Sequence, residues 1–354
     1  MIDWSGIRAS VLGNECSTDG IPKVQLPVLP AAVTEFSQKA DDPDCSIDEL
    51  SAIVESDAGL TCQLLRNVNA STNGFKHRIA TPHHAIASLG IRRTKLHLIT
   101  AALQNALPAR KLKLINLPSF WNANLERALF AKRLARLLKT DEELAFAAGL
   151  LQDFLIPVLT NELDNDYVHF MSQGDADRVS LVDFEAKTFS WDHAGAAANV
   201  MFDWGFSDDL ICCVLFHHRG LSVLADERLG QSAAAAVALA GLMPDSFRQT
   251  PDGLQQLEKL AGIWNGFDLY AVAKDVFNEY EPQALESASY IPFKAHCEKL
   301  LEATAAQESL VSRVLIRDEL FPATQHRRVV LRVARVQRFG KLFSIKSQLL
   351  RLLV

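Results

Sequence analysis

Ala148-Gly149-Leu150-Leu151-Gln152-Asp153 is the stretch on which the reading of this chain turns. Its small residues and leucines suit a core helix packed close to a neighbour, and the run ends on an acid. An imidazole and a carboxylate side by side at a helix end can grip one cation from two directions. Here the position before the acid is Gln152, whose amide is a poor metal ligand and carries no proton at neutral pH. A pocket can form at such a site without the chemistry that an imidazole–carboxylate pair would supply.

Outward from that run, the strong local signals are helical. Ser46-Ile47-Asp48-Glu49 is a capping box ahead of Leu50, Ile53 and Val54 at helical spacing. Thr140-Asp141-Glu142-Glu143 is expected to repeat the device before Leu144, Ala147, Ala148 and Leu151. Thr81-Pro82 places a cap before a proline at the first helical position, and Gly90 stops that helix. Phe120 to Leu138 reads as amphipathic, with Leu125, Leu129 and Leu137 inside and Arg127, Lys132, Arg133 and Arg136 outside. The β-branched run from Val329 to Val336 would suit a strand. Arg328, Arg332, Arg335 and Arg338 recur along it at helical spacing, and a helix is expected. With no long alternating series and no glycine-rich phosphate loop, the expected class is all-α.

The 354 residues are enough for more than one core, and 49% apolar with 22% charged residues describes a well-packed globular chain. Breaks near residues 107, 118 and 250 suggest an N-terminal segment 1–25, a domain over 26–250 and a C-terminal helical extension over 251–354. Within the domain, a lobe to about 107 precedes a bundle over about 118–250. The six cysteines are scattered without metal-site spacing, which implies reduced thiols. With no signal peptide or transmembrane segment recognisable, a cytoplasmic location is expected. The net charge of −6 is unevenly spread, because residues 308–354 hold ten basic and three acidic side chains. An acidic body therefore carries a basic tail.

These features align with a known pattern. Leu26-Pro27-Val28-Leu29-Pro30, Ile53-Val54-Glu55-Ser56-Asp57 and Leu60 through Arg66 come first, followed by Asn67-Val68-Asn69-Ala70-Ser71. Ile79 and Ala85-Ile86-Ala87-Ser88-Leu89-Gly90 follow. Trp121, Ala148-Gly149-Leu150-Leu151, Asp192-His193-Ala194, Trp204-Gly205 and Phe216-His217-His218 complete the series. In this order they resemble the HDOD family, relatives of the HD metal phosphohydrolases found in bacterial signalling proteins, over roughly residues 26–245. The resemblance implies a helical lobe packed on an HD-type bundle.

The departures from the active pattern carry the functional expectation. Activity of the HD kind would imply histidines near Ala123 and at Gln152, often a lysine at Ile156, and a late metal-binding aspartate at about Gly241. Of that set Asp153 is retained, with His193, His217 and His218 nearby in the pattern. The resemblance therefore implies a vestigial pocket of Gln152, Asp153, His193, His217 and His218, with no catalytic residue, metal or cofactor.

Each candidate has a plainer reading. Asp153 suits a helix cap or an ion pair better than a metal ligand, His193 suits a capping turn or a pocket wall, and His217-His218 suits a helix C-terminus. Arg66, Asn67 and Asn69 are polar residues after an apolar stripe, read as a junction between lobes or else a ligand contact. Arg92, Arg93 and Lys95 read as a solvated face, with phosphate contact as the alternative. The expected function is a non-catalytic bacterial regulator that binds a signalling protein and, in the pocket, a nucleotide-like effector. The alternatives are a phosphohydrolase or phosphodiesterase on rearranged ligands, and association of the basic tail (Arg328, Arg332, Arg335, Arg338) with nucleic acid or a membrane surface. Nucleic acid is not the expected partner.

Overall fold

The computed structural model describes residues 2–13, 26, 29–40, 42, 44–69, 78–106, 112–172 and 179–320, with 67, 104–106 and 307–320 described by backbone alone. Arg328, Arg332, Arg335, Arg338 and the helix expected at 329–336 lie outside the described residues. Among those described, seventeen α-helices and two 3-10 segments occur and no strand does, as the patterning predicts.

In chain order, α1 (Trp4–Leu12) precedes a lobe of α2 (Ala31–Lys39), α3 (Ile47–Glu55), α4 (Ala58–Val68), α5 (Pro82–Leu89) and α6 (Ile91–Ala106). Its core is Phe36, Leu50, Val54, Leu64 and Ile86, all fully buried. The capping box at Ser46 and Glu49 forms on both sides, at 3.2 and 3.0 Å. Thr81 caps α5 through the His84 amide, and Gly90 ends it at φ 81°, a conformation that favours glycine.

The second section runs through α7 (Leu117–Leu138), α8 (Glu142–Leu151), α9 (Ile156–Glu162), α10 (Asp164–Ser172), α11 (Leu181–Phe189), α12 (His193–Asp203), α13 (Asp208–Leu215), a 3-10 segment (His217–Ala225) and α14 (Ala233–Ala240). The cap of α8 is Asp141 rather than Thr140, and one of its carboxylate oxygens accepts both the Glu143 and Leu144 amides. Helices α7 and α8 touch closely at Gly149, where an added Cβ would lie 3.0 Å from the Ala128 Cα. By composition Glu142–Glu162 could cross a membrane, but 89% of its apolar window is buried in this fold and it breaks between α8 and α9.

The expected faces of α7 need correction. Arg127 is buried at 2% exposure, while Leu137 is exposed. A further face of α7 receives the C-terminal section, made of α15 (Gly253–Ile263), α16 (Leu269–Tyr280) and α17 (Phe293–Leu320). Asn122 forms two hydrogen bonds with the Leu285 backbone, at 2.8 Å each. One helical turn on, buried Glu126 accepts the Phe293 amide at 2.7 Å and the Tyr290 hydroxyl, and so caps the start of α17. Phe130 packs between Phe267 and Phe293, with ring centroids 6.2 and 5.1 Å away. Such aromatic pairs are worth about 0.5–1.5 kcal/mol beyond their burial.

Candidate functional site

Behind the opposite face of α7 lies a buried polar network. Asp153 sits just past the end of α8, brought near α7 by the close approach at Gly149. Arg127 reaches it with Nη1 2.5 Å from Oδ2. The same oxygen accepts Nε2 of Gln249 at 3.2 Å and Nε2 of Gln152 at 3.5 Å. Burial would raise the Asp153 carboxyl, but the Arg127 charge, helped by His193 and His217, holds it well below the usual carboxylate range. Asp245 lies 3.7 Å from Nη2 of Arg127 and is pushed up by burial and by the Asp153 charge.

Three imidazoles close the other side. His193 opens α12 behind its cap Asp192, and its backbone amide and Nδ1 both lie against Oε2 of Glu185, at 2.8 and 2.6 Å. Tyr167 donates to the other Glu185 oxygen at 2.8 Å. Burial alone would lower His193, but the Glu185 and Asp153 carboxylates override it and raise it to about 10. His217 holds the Val214 carbonyl through Nδ1 at 2.6 Å and turns Nε2 to within 3.3 Å of Asp153 Oδ1. His218 Nε2 meets His193 Nε2 at 2.8 Å, and burial together with the neighbouring histidines lowers His218 well below its usual value. Of the three imidazoles His218 alone is partly exposed.

The fold thus brings Gln152, Asp153, His193, His217 and His218 together. Arg127, Glu185, Asp245 and Gln249 also belong to the network, and sequence reasoning missed them. The residues that HD-type metal chemistry implies do not fit. Positions 123 and 152 are Ala and Gln, and at Gly241 an added Cβ would lie 2.3 Å from the His217 carbonyl oxygen. That position packs backbone against backbone and sets the place of His217, leaving no room for a carboxylate.

Asn69 lies elsewhere. Its amide holds the Leu65 carbonyl at 2.7 Å and both backbone groups of Ile79 at 2.8 Å, all inside the N-terminal lobe. Arg66 is exposed, and the Asn67 side chain is outside the described residues. The lobe junction is instead made by α6 on α8 and α13. There Arg92 reaches Asp141 and, at 2.7 Å, Asp209, and Arg93 reaches Glu143 at 3.3 Å. Lys95 is buried and donates to the Ser37 carbonyl at 3.1 Å. In α1, Arg8 pairs with Asp208 at 2.5 Å and lies 4.2 Å from the centre of the Phe202 ring, so α1 docks on the bundle.

Fold and site together define an HD-type helical domain, and comparison with known proteins gives it a family. The model of the HDOD domain matches residues 26–220, and the chain belongs to the HDOD family. A solved HDOD domain protein of unknown function from Geobacter sulfurreducens is 18% identical, covers 90% of this chain and 99% of its own, and has a TM-score of 0.52. A structure from Shewanella amazonensis called a "putative phosphohydrolase" is 22% identical over 80% of this chain and 99% of its own, with a TM-score of 0.55. These likenesses show the fold alone. An uncharacterized protein of Treponema pallidum is 24% identical over 202 residues, which are 55% of this chain and 38% of that protein.

Proposed function

We propose that this HDOD protein is a non-catalytic regulator in bacterial signal transduction, acting in the cytoplasm through a protein partner. The observation that carries this reading is the Arg127 guanidinium buried on Asp153, beside a glutamine where a metal-binding histidine would be needed. A guanidinium supplies positive charge but cannot activate a water as a metal ion does. A nucleotide-like effector is the second partner in this reading, and its way in would be at His218, the partly exposed wall of the network.

A second reading, a metal-dependent phosphohydrolase or phosphodiesterase built on Asp153, His193 and His217 or His218, is favoured by the clustering of three histidines. Incubation of the full chain with cyclic dinucleotides and nucleotides, with manganese or ferrous ion added, separates the two. A regulator shows no turnover above that of Asp153→Ala. Turnover that Asp153→Ala abolishes would overturn the regulatory reading.

A further inference from the structure

Beyond Leu320 the composition of the chain changes. Residues 321–354 hold eight Lys or Arg and no Asp or Glu, on a chain that is otherwise net acidic, and seventeen of these 34 residues are apolar. At helical spacing Arg328, Arg332 and Arg335 share one side, and Val329, Val333 and Val336 share another. After Gly340 the pattern sharpens. Leu342, Ile345, Leu349 and Leu353 recur at that spacing, while Ser344, Ser347, Gln348 and Arg351 fall opposite. These residues lie outside those described; the helix that leads to them does not.

Helix α17 is anchored at its first turns, where Phe293 and Cys297 are 2% and 1% exposed and Glu126 accepts the Phe293 amide. From Glu298 to Ala306 its residues are exposed, except half-buried Leu300 and Thr304. Thr304 still reaches Glu258 of α15 at 3.3 Å, but Leu301 is 50% exposed. Helical backbone continues to Leu320, about 35 Å along the axis from Cys297 at about 1.5 Å per residue. The basic segment therefore begins far from the anchor at Glu126.

Within 327–354 no run exceeds four residues without a Lys or Arg, so this segment cannot span a bilayer, which takes about 20 apolar residues. Cationic groups on one side and leucines on the other match a surface that is anionic outside and hydrocarbon within. Nucleic acid would engage the arginines and leave the leucines in water. Charge also sets a direction, because an anionic surface attracts the tail and repels the acidic body.

We propose that residues 321–354, presented by α17, bind the anionic face of a lipid bilayer and hold the protein at a membrane surface with its acidic body turned away. The surface is independent of the regulatory reading, since it uses none of the residues around Asp153.

The test is cosedimentation of the full chain with phosphatidylcholine vesicles, with and without about a third phosphatidylglycerol. Binding at least tenfold tighter to the anionic vesicles is expected, weakening as sodium chloride is raised. Deletion of residues 321–354 should abolish it. Arg332→Gln with Arg335→Gln should weaken it mainly at low salt, and Leu349→Asp with Leu353→Asp should weaken it at every salt concentration. Arg228→Gln, a change at a 62% exposed side chain of the body, should leave it intact. Circular dichroism and a cooperative melt establish that each variant is folded. No preference for anionic vesicles overturns the proposal, and so does equal binding by wild type and the double Leu→Asp variant. Tighter binding to duplex DNA of random sequence than to the anionic vesicles, at the same salt, assigns the tail to nucleic acid and overturns it too. If the double Leu→Asp variant melts lower and exposes apolar surface to a dye while the wild type ignores vesicles, the tail packs on the body and the proposal fails. Phosphodiester turnover would sink the regulatory reading and leave the membrane surface standing.

Discussion

Arg127 and Asp153, one inside α7 and one just beyond α8, form an ion pair 2.5 Å long that is 3% and 1% exposed. A buried ion pair gives little net stability, since desolvation offsets the attraction, but removing one partner strands the other. The pair therefore ties the identities of both residues to each other. It places a permanent cation where an HD-type enzyme would need an exchangeable one.

Glu126 gives the clearest pH dependence. Burial pushes its carboxyl up, only partly countered by Tyr290 and the Phe293 amide. A folded-state value above the ordinary one means the protonated form favours folding. This stability is fully present below about pH 4.3 and is lost as pH rises through the raised folded value. Glu126→Gln keeps an acceptor for Phe293 and cannot ionise. Between about pH 4.5 and 7 the urea midpoint of the wild type should fall relative to that of Glu126→Gln. Parallel profiles for the two proteins would count against a raised Glu126.

Asn69→Leu should cost about 1–3 kcal/mol, because it strands the N–H and C=O of Ile79. Ile79 is 1% exposed, so water would not easily replace the lost amide. Chemical denaturation measures the loss directly, and an unchanged midpoint would mean that the bridge to Ile79 adds nothing to the fold.

Arg92→Ala should behave differently. Arg92 is 57% exposed, and ion pairs at such sites are typically worth about 0.2–1 kcal/mol and weaken with salt. The expected loss is below about 1 kcal/mol at low salt and shrinks further at 0.5 M sodium chloride. A larger, salt-independent loss would contradict an electrostatic clamp between the lobes.

The local code was legible where one side chain decides one backbone group. Ser46 and Glu49, Thr81-Pro82 and Gly90 all act as their positions predict. The pocket was legible in part, since Asp153, His193, His217 and His218 sit in recognisable runs. Arg127 was not, because it shares α7 with Lys132, Arg133 and Arg136 and periodicity alone sends arginine to solvent. The signal that could have found it is the spacing Asn124–Arg127 among Ala123, Ala128 and Ala131, polar groups on the small-residue face that meets Gly149. Glu126 escaped for a related reason: its partners Tyr290 and Phe293 lie more than 160 residues away. By sequence Asn69 reads as a junction residue, yet its partner is a nearby backbone that only the fold reveals.

The most direct test of the central claim is a double-mutant cycle on Arg127 and Asp153, with Arg127→Met, Asp153→Leu and the double variant unfolded by urea in the presence of chelator. Each single change should cost about 3–5 kcal/mol by stranding a buried charge, and the double change should cost far less than the sum. A coupling of at least about 2 kcal/mol is predicted. Single losses that add within about 0.5 kcal/mol would mean that Arg127 is not the counter-charge of Asp153, and the account of this site would fail.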